Sequence, residues 1–330
     1  MDTVSGNIMQ QVLIPKTGDR LPSVHLFDPE SQWAIRAALA ANRPLLVRGE
    51  PGVGKSQLAR AAAVWLKRPF LSVVVDARTE SQDLLWSFDA VGRLAQAQIC
   101  AAFKPADVAR ELAEERFVHP GKLWWAFDWN GARRQADVVG GPGLSGPEGW
   151  EPDDGCVLLI DEIDKAESDV PNGLLEALGS RSFSVRNCKS SVSASGQAPL
   201  VVITTNEERI LPNAFVRRCL VLHLELPREE KALRELLVIR GEAHLDLLSP
   251  PEEYGQQRQR REILEEAAGL LIDARNAAQA KQVRPLPGQA EYLDLIRAVF
   301  EITRTDGEDP KNVLALVKGF VLKKTGESPP

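Results

Sequence analysis

Eight consecutive residues, Gly49-Glu50-Pro51-Gly52-Val53-Gly54-Lys55-Ser56, satisfy the spacing G-x-x-x-x-G-K-[ST] at every fixed position. The chemistry this pattern serves is phosphate binding. Glycines let the backbone turn through positive φ and bring successive N–H groups toward an anion, and a helix starting near Lys55 adds the positive end of its dipole. Lys55 is then placed to reach the β- and γ-phosphates of a nucleotide, and Ser56 to offer its hydroxyl to Mg²⁺. The candidate nucleotide contacts run from Gly49 through Gln57.

Binding alone does not cleave a phosphate bond, since hydrolysis also needs a metal ligand and a group that aims water. "CVLLIDEIDK" runs the apolar stretch Val157 to Ile160 into Asp161 and Glu162. At the carboxyl end of a parallel strand, acids face the ligand crevice. Asp161 is thus the candidate metal ligand beside Ser56, and Glu162 the candidate water-orienting base. "PLVVITTNEER" leaves Thr204, Thr205 and Asn206 at the end of another buried strand. The Asn206 amide can accept from water while donating to a phosphate oxygen. "LPNAFVRRC" adds Arg217 and Arg218, a pair able to neutralise transition-state charge on a neighbouring subunit's γ-phosphate. Taken singly, these are a glycine turn, a strand end, an Asn turn and two surface arginines; their order along the chain makes them a constellation.

The elements that must position them are legible in the periodicity. Leu45, Leu46 and Val47 read as a short buried strand ahead of the glycine loop, and Leu58, Ala61, Ala62 and Leu66 recur at helical spacing behind it. The 330 residues, 44% apolar and 26% charged, have room for one large or two modest domains. A net charge of -6 without a long single-sign block argues against a life on nucleic acid. No window approaches a membrane span, and the first residues lack a basic head followed by an apolar signal core, so a cytoplasmic chain is expected. Cys100, Cys156, Cys188 and Cys219 are far apart, with no metal or disulfide spacing, and are assigned no chemistry.

"RGEPGVGKS", "LLIDEID", "VVITTNEER" and "LPNAFVRRC", in that order, resemble the Walker A, Walker B, sensor 1 and arginine-finger elements of AAA+ ATPases. The chain is similar in particular to MoxR-type members, with "DLLWSFDAVGRLAQAQ" and "DKAESDVPNGLLEALGSRSFSV" extending the likeness over about residues 24–227. The resemblance implies an α/β P-loop AAA+ core with a parallel five-stranded sheet flanked by helices, followed by a C-terminal helical lid. Residues 1–227 would form the nucleotide-binding domain, with an insert around 90–155, and residues 228–330 the lid. ATP and Mg²⁺ are the implied cofactors, and a homo-oligomeric, hexameric ring acting on a protein client, or with a von Willebrand factor A domain partner, is the implied assembly. Where the family pattern has an acid, an arginine and an aromatic, this chain has Arg217, Arg218 and Cys219. Arg218 therefore takes the finger position, with Arg217 left open beside it. "KQVRPLPGQAEYLDLIRAV" resembles the sensor 2 segment, with Arg284 the candidate and Lys281 the alternative.

Between phosphate loop and Walker B, "KPADVARELAEERFVHPGKLWWAFDWN" reads as a charged helix, a His-Pro-Gly turn and a short aromatic helix, and "FVHPGKLWWAF" resembles the family's pore-facing helix-2 insert. Trp124, Trp125, Phe127 and Trp129 are too dense for one helix face, so some are expected to meet another surface, with core or intersubunit packing ahead of substrate gripping. "GGPGLSGPEGWEPDDG" reads as a loop, Leu220 to Leu226 as an alternating strand, and the chain beyond Pro227 as four helices separated by "SPPEEYGQQ" and "TRTDGEDP". "SSVSASGQAP" reads as a turn. The function expected is an ATP-hydrolysing motor. Competing readings are a nucleotide switch with poor turnover, a nucleic-acid translocase, and a metabolic kinase, which would not need the arginine pair.

Overall fold

The structure, a computed structural model, describes residues 9–18, 21–185, 190–248 and 254–322. The chain divides into two units, one of residues 30–48 and 62–222, the other of residues 1–29, 49–61 and 223–330. In chain order, β1 (Gln10–Ile14) and β2 (Ser23–Phe27) pair antiparallel and are followed by α1 (Pro29–Ala41), β3 (Leu45–Arg48), α2 (Lys55–Leu66) and β4 (Phe70–Val74). The chain then runs through α3 (Ser81–Leu85), β5 (Trp86–Phe88), α4 (Ala90–Phe103), α5 (Val108–Glu111), β6 (Val118–Pro120), α6 (Lys122–Phe127) and α7 (Trp129–Val138). Next come β7 (Val157–Asp161), α8 (Asp169–Ser180), β8 (Ser182–Val185), β9 (Ser190–Ser193), β10 (Leu200–Thr205), α9 (Asn213–Arg218) and β11 (Leu220–His223). Four helices finish the chain: α10 (Glu230–Leu248), α11 (Tyr254–Ala280), α12 (Gln289–Asp306) and α13 (Pro310–Leu322).

In the first unit, five strands form one sheet in the order β11-β3-β10-β7-β4, β11 continuing one residue past the unit's end. β10 pairs in parallel with β3 and β7, and β7 with β4. The central strands are near-continuous apolar runs because helices cover both faces of such a sheet. Leu45, Leu46, Val47, Val157, Leu158, Ile160 and Ile203 are all fully buried. Register has a chemical consequence. With Ile203 opposite Ile160, one step further sets Thr204 beside Asp161 at the carboxyl edge.

The insert departs from the sequence reading in three places. The expected charged helix shrinks to the single turn of α5 and a 3-10 turn at Glu114–Phe117. His119 and Pro120 form no turn; they lie in β6, paired antiparallel with β5, Ser87 opposite His119. The four clustered aromatics are all buried, the core packing put ahead of substrate gripping, but they are divided between two helices rather than carried by one. Asp128 explains this: its carboxylate accepts from Gly131 N at 2.8 Å and caps a new helix, so Trp124, Trp125 and Phe127 sit on α6 and Trp129 on α7. Two helix axes present the rings in different directions. Trp125 meets Trp129 edge-on at 5.1 Å, Trp129 meets Trp150 at 4.7 Å, and Trp124 meets Phe183 at 6.3 Å. α6, apolar all round after Lys122, is a core helix. Residues 140–155 are a loop as expected, apart from a 3-10 turn at Pro152–Asp154.

The turn read over residues 190–199 begins as β9, paired with β8, and β11 stops at His223 rather than Leu226. α11 starts at Tyr254, inside the expected loop, and α12 runs on to Asp306. Cys100, Cys156 and Cys219 are buried free thiols; Cys188 lies outside the described residues.

In the other unit, α10 to α13 bury Leu237, Leu264, Ala267, Leu271, Tyr292, Leu295, Ile296 and Val299 in one cluster. The spacing of Ile263, Leu264, Ala267 and Leu271 is the i, i+4 stripe that a bundle helix turns inward. Tyr292 Oη donates to Leu264 O at 3.3 Å, satisfying a polar group at the centre of this core. Among the described residues, no helix is long and apolar enough to cross a membrane.

Candidate functional site

At the carboxyl edge of the sheet one hydroxyl ties Asp161 to Glu162, and Asn206 in turn bonds Glu162. Thr204 Oγ1 donates to Asp161 Oδ1 at 2.5 Å and accepts from Glu162 N at 2.9 Å, so it fixes the first carboxylate and the backbone of the second together. Glu162 sits in the left-handed region, φ 60° and ψ 46°, where a non-glycine residue is strained by on the order of 1 kcal/mol. That turn re-aims its side chain. Glu162 Oε1 accepts from Asn206 Nδ2 at 3.4 Å, and Oε2 accepts from Lys165 Nζ at 2.7 Å. The hydrogen bond to Glu162 holds the Lys165 ammonium above its ordinary range.

Asp164 supports this group from below. It is 2% exposed, and its two carboxylate oxygens accept from Asn206 N at 3.3 Å and Glu208 N at 3.0 Å. The turn after β10 is held further by Glu207 N donating to Thr205 Oγ1 and by an ion pair between Glu207 and Arg48 at 3.3 Å. Arg217 and Arg218 stand apart on the last turn of α9, both exposed. Arg43 clamps that end of the helix: its guanidinium donates to the carbonyls of Arg217 and Arg218, the latter at 3.0 Å. Among the described residues neither Arg217 nor Arg218 has a side-chain hydrogen bond or ion pair.

In the other unit lie the residues of the glycine loop. Gly49 adopts φ 150°, and a Cβ there would collide with the carbonyl oxygen of Leu224, which leaves glycine as the residue that fits. Gly52 and Gly54 also take positive φ. Lys55, 7% exposed, donates to Gly49 O at 2.7 Å and Glu50 O at 2.9 Å, and Leu58 N to Gly54 O at 2.9 Å closes the first turn of α2. Ser56 is the second residue of that helix. Gln57 turns aside from the loop, its Nε2 donating to Val24 O at 3.2 Å, and Val53 is buried in the cluster of the C-terminal helices.

The C-terminal part of the chain reaches the loop through two guanidiniums, Arg275 on α11 and Arg284 in the connection between α11 and α12. Arg275 donates to Glu50 Oε2 at 2.5 Å and to Pro287 O at 3.0 Å, and Arg284 donates to Glu50 Oε1 at 2.8 Å. Burial would raise the Glu50 carboxyl, but these two arginines outweigh it and hold the group below its ordinary value. Ala290 N, in the first turn of α12, donates to Gly52 O at 3.1 Å. Lys281 closes the end of α11, its N–H donating to Ala277 O at 3.2 Å. Sequence reasoning missed Thr204 as a bridge, Asp164, Lys165, Arg43 and Arg275. Asp164 and Lys165 are visible in "DEIDK", whereas Arg275, a lone cation in "LIDARNAAQA", carries no signal that it meets Glu50.

No curated protein matches the chain. Among solved structures it is similar to a candidate ATPase from Cytophaga hutchinsonii, at 14% identity and TM-score 0.38, covering 88% of this chain and 78% of that one. It is also similar to a point mutant of RuvB from Thermotoga maritima, at 15% identity and TM-score 0.47, with 88% and 67% covered. NtrX from Brucella abortus, solved with ATP, matches at 16% identity and TM-score 0.44, with 85% of this chain covered and about half, 52%, of NtrX. Residues 44–237, more than half of the chain and the stretch that holds the glycine loop, both acids, Asn206 and both arginines of α9, match the AAA domain of the dynein-related subfamily. With its five-stranded P-loop sheet and helical C-terminal bundle, the chain belongs to that family of AAA+ ATPases.

Proposed function

We propose that this chain is an ATP-hydrolysing motor of MoxR type that works as a homo-oligomeric, hexameric ring and remodels or activates a protein partner, either a client or a protein carrying a von Willebrand factor A domain. The observation that carries the reading is the tie among Asp161, Glu162 and Asn206 through Thr204 and Asp164, a carboxylate pair and an amide set at one strand edge. In this reading the loop from Gly49 to Gln57 cradles the phosphates, with Lys55 on the β- and γ-phosphates. Glu162 accepts a proton from the attacking water while Asn206 orients it, and Arg218 or Arg217 reaches a neighbouring subunit's nucleotide. Arg284, with Arg275 beside it on Glu50, is the lid's sensor 2.

Magnesium is commonly held by one or two carboxylates together with phosphate oxygens and water, and a serine hydroxyl with one carboxylate is a donor set of that kind. Ser56 and Asp161 would hold it, and it would neutralise charge on the phosphates. A second reading, a nucleotide switch with slow turnover, is favoured by the Lys165–Glu162 contact, which occupies the proposed base.

ATP turnover measured against protein concentration separates the two. The motor predicts a rate per subunit that climbs with concentration, loss of hydrolysis with ATP binding retained in Glu162→Gln, and rescue of Arg218→Ala or Arg217→Ala by mixing with Lys55→Ala subunits. A flat rate, indifferent to both arginines, would leave the switch.

A further inference from the structure

We infer that the outer ends of α1 and α2 form a docking site for an acidic segment of a partner polypeptide. A shallow, open depression of about 490 Å³ lies there, lined by Arg36, Leu39, Ala40, Arg68, Gln197 and Ala198, two arginines and no carboxylate. Arg68 builds the wall: it donates to Ala198 O at 3.1 Å and to Gln197 Oε1 at 2.5 Å. Arg36 is left for a ligand. Its guanidinium lies over the rings of Trp33 and Trp65, 5.2 and 5.5 Å from their centroids, and among the described residues it has no ion pair or hydrogen bond.

Stacking on aromatic faces restrains a guanidinium while leaving its in-plane N–H edge open, the geometry that takes a carboxylate with two parallel hydrogen bonds. Trp33 is 66% exposed, an unusual position for a large ring, and supplies apolar contact beside the charge. Tryptophan and arginine together are the residue types in which binding energy concentrates at interfaces. The chain as a whole carries a net charge of -6; Asp154 offsets Arg68 from outside the lining, and Arg36, with no acid beside it on the lining, selects for a negative partner against the protein's own background. The cavity uses none of the residues proposed to bind or cleave nucleotide, so this inference stands or falls separately from that reading.

The test is fluorescence anisotropy with a short labelled peptide of alternating glutamate and leucine, run beside a labelled oligothymidine and a peptide with lysine in place of glutamate. The full chain should bind the acidic peptide and not the lysine peptide, with affinity falling as salt rises. Arg36→Ala should weaken binding about tenfold, the loss of one interfacial anchor, and Trp33→Ala comparably. Arg36→Lys, which keeps charge and fold but not the planar fork, should also weaken it. ATP turnover should be unchanged in all three variants. Absence of peptide binding by the full chain, or binding indifferent to both Arg36 variants, would overturn the proposal. Tighter binding of oligothymidine with the same sensitivity would assign the cavity to nucleic acid instead. Loss of self-association in Arg36→Ala, read by sedimentation velocity, would assign it to a second copy of the chain; either result refutes an acidic partner.

Discussion

Asp164→Ala isolates the support beneath the proposed catalytic acids. Asp164 is almost fully buried and spends one carboxylate oxygen on Asn206 N and the other on Glu208 N. Hydrogen bonds to a charged acceptor contribute about 1.5–3 kcal/mol each. Glu208 is exposed, so its amide can turn to water in the variant, and removal of a buried charge offsets part of the remaining loss. The net destabilisation should be about 2 kcal/mol, a fall of roughly 4–8 °C in melting temperature for a unit of this size. Asp164→Asn keeps one acceptor oxygen but turns an NH2 group toward the other backbone N–H, so it should be destabilised as well.

The functional effect should be larger than the structural one. Both hydrogen bonds of Asp164 run to the turn that carries Asn206, and misplacing a water-orienting group by about 1 Å lowers a rate on the order of a hundredfold. The kcat for ATP should therefore fall by about ten- to a hundredfold at a temperature well below the melt, with ATP affinity held within about twofold. Steady-state turnover, fluorescent-nucleotide binding and a thermal melt on the same preparations supply the three numbers. A variant destabilised as calculated but turning over at the wild-type rate would refute the reasoning, since Asn206 would then not depend on this carboxylate. A parallel loss of affinity and rate would refute it as well.

Two further outcomes follow from geometry. Gly49→Ala should destabilise the chain by about 2–3 kcal/mol and abolish nucleotide binding, because the added Cβ runs into Leu224 O on a backbone at φ 150°; a melt and a nucleotide titration check both. His25 is driven down to about 4, first by burial and then by the Arg240 charge, against an ordinary 6.5. A depressed histidine contributes stability that is complete above pH 6.5 and lost as pH falls toward 4, so acidification from pH 7 to 5 should remove at most about 2 kcal/mol, and His25→Gln should flatten that part of the urea-denaturation profile.

What can be read from the sequence is what spacing encodes. Gly49 to Ser56 and the apolar runs into Asp161 and Asn206 are local patterns, and each lies where its period places it, on a strand end or a helix start. The bridge through Thr204 is not local, because it arises only when β10 and β7 align with Ile203 opposite Ile160. Arg275 and Glu50 likewise meet across much of the chain's length, and no period in either segment announces it. The aromatic run departs from expectation for a different reason. Its density exceeds one helix face, and the Asp-x-x-Gly signal that splits it between two helices, Asp128 capping onto Gly131, is present in the sequence but easily passed over inside so apolar a stretch. The β1–β2 pair carries little signal because its strands are five residues each, with weak alternation.

The division into two units gives the native chain a pair of optical labels. All seven tryptophans, Trp33, Trp65, Trp86, Trp124, Trp125, Trp129 and Trp150, fall within residues 30–48 and 62–222, while both tyrosines, Tyr254 and Tyr292, fall in the other unit. Red-edge ultraviolet excitation therefore illuminates the sheet-bearing unit alone, and the short-wavelength tyrosine emission arises in the helical one. Whether the units melt in one transition or two, and which of them responds to nucleotide, can be followed in the unmodified protein by choosing a wavelength.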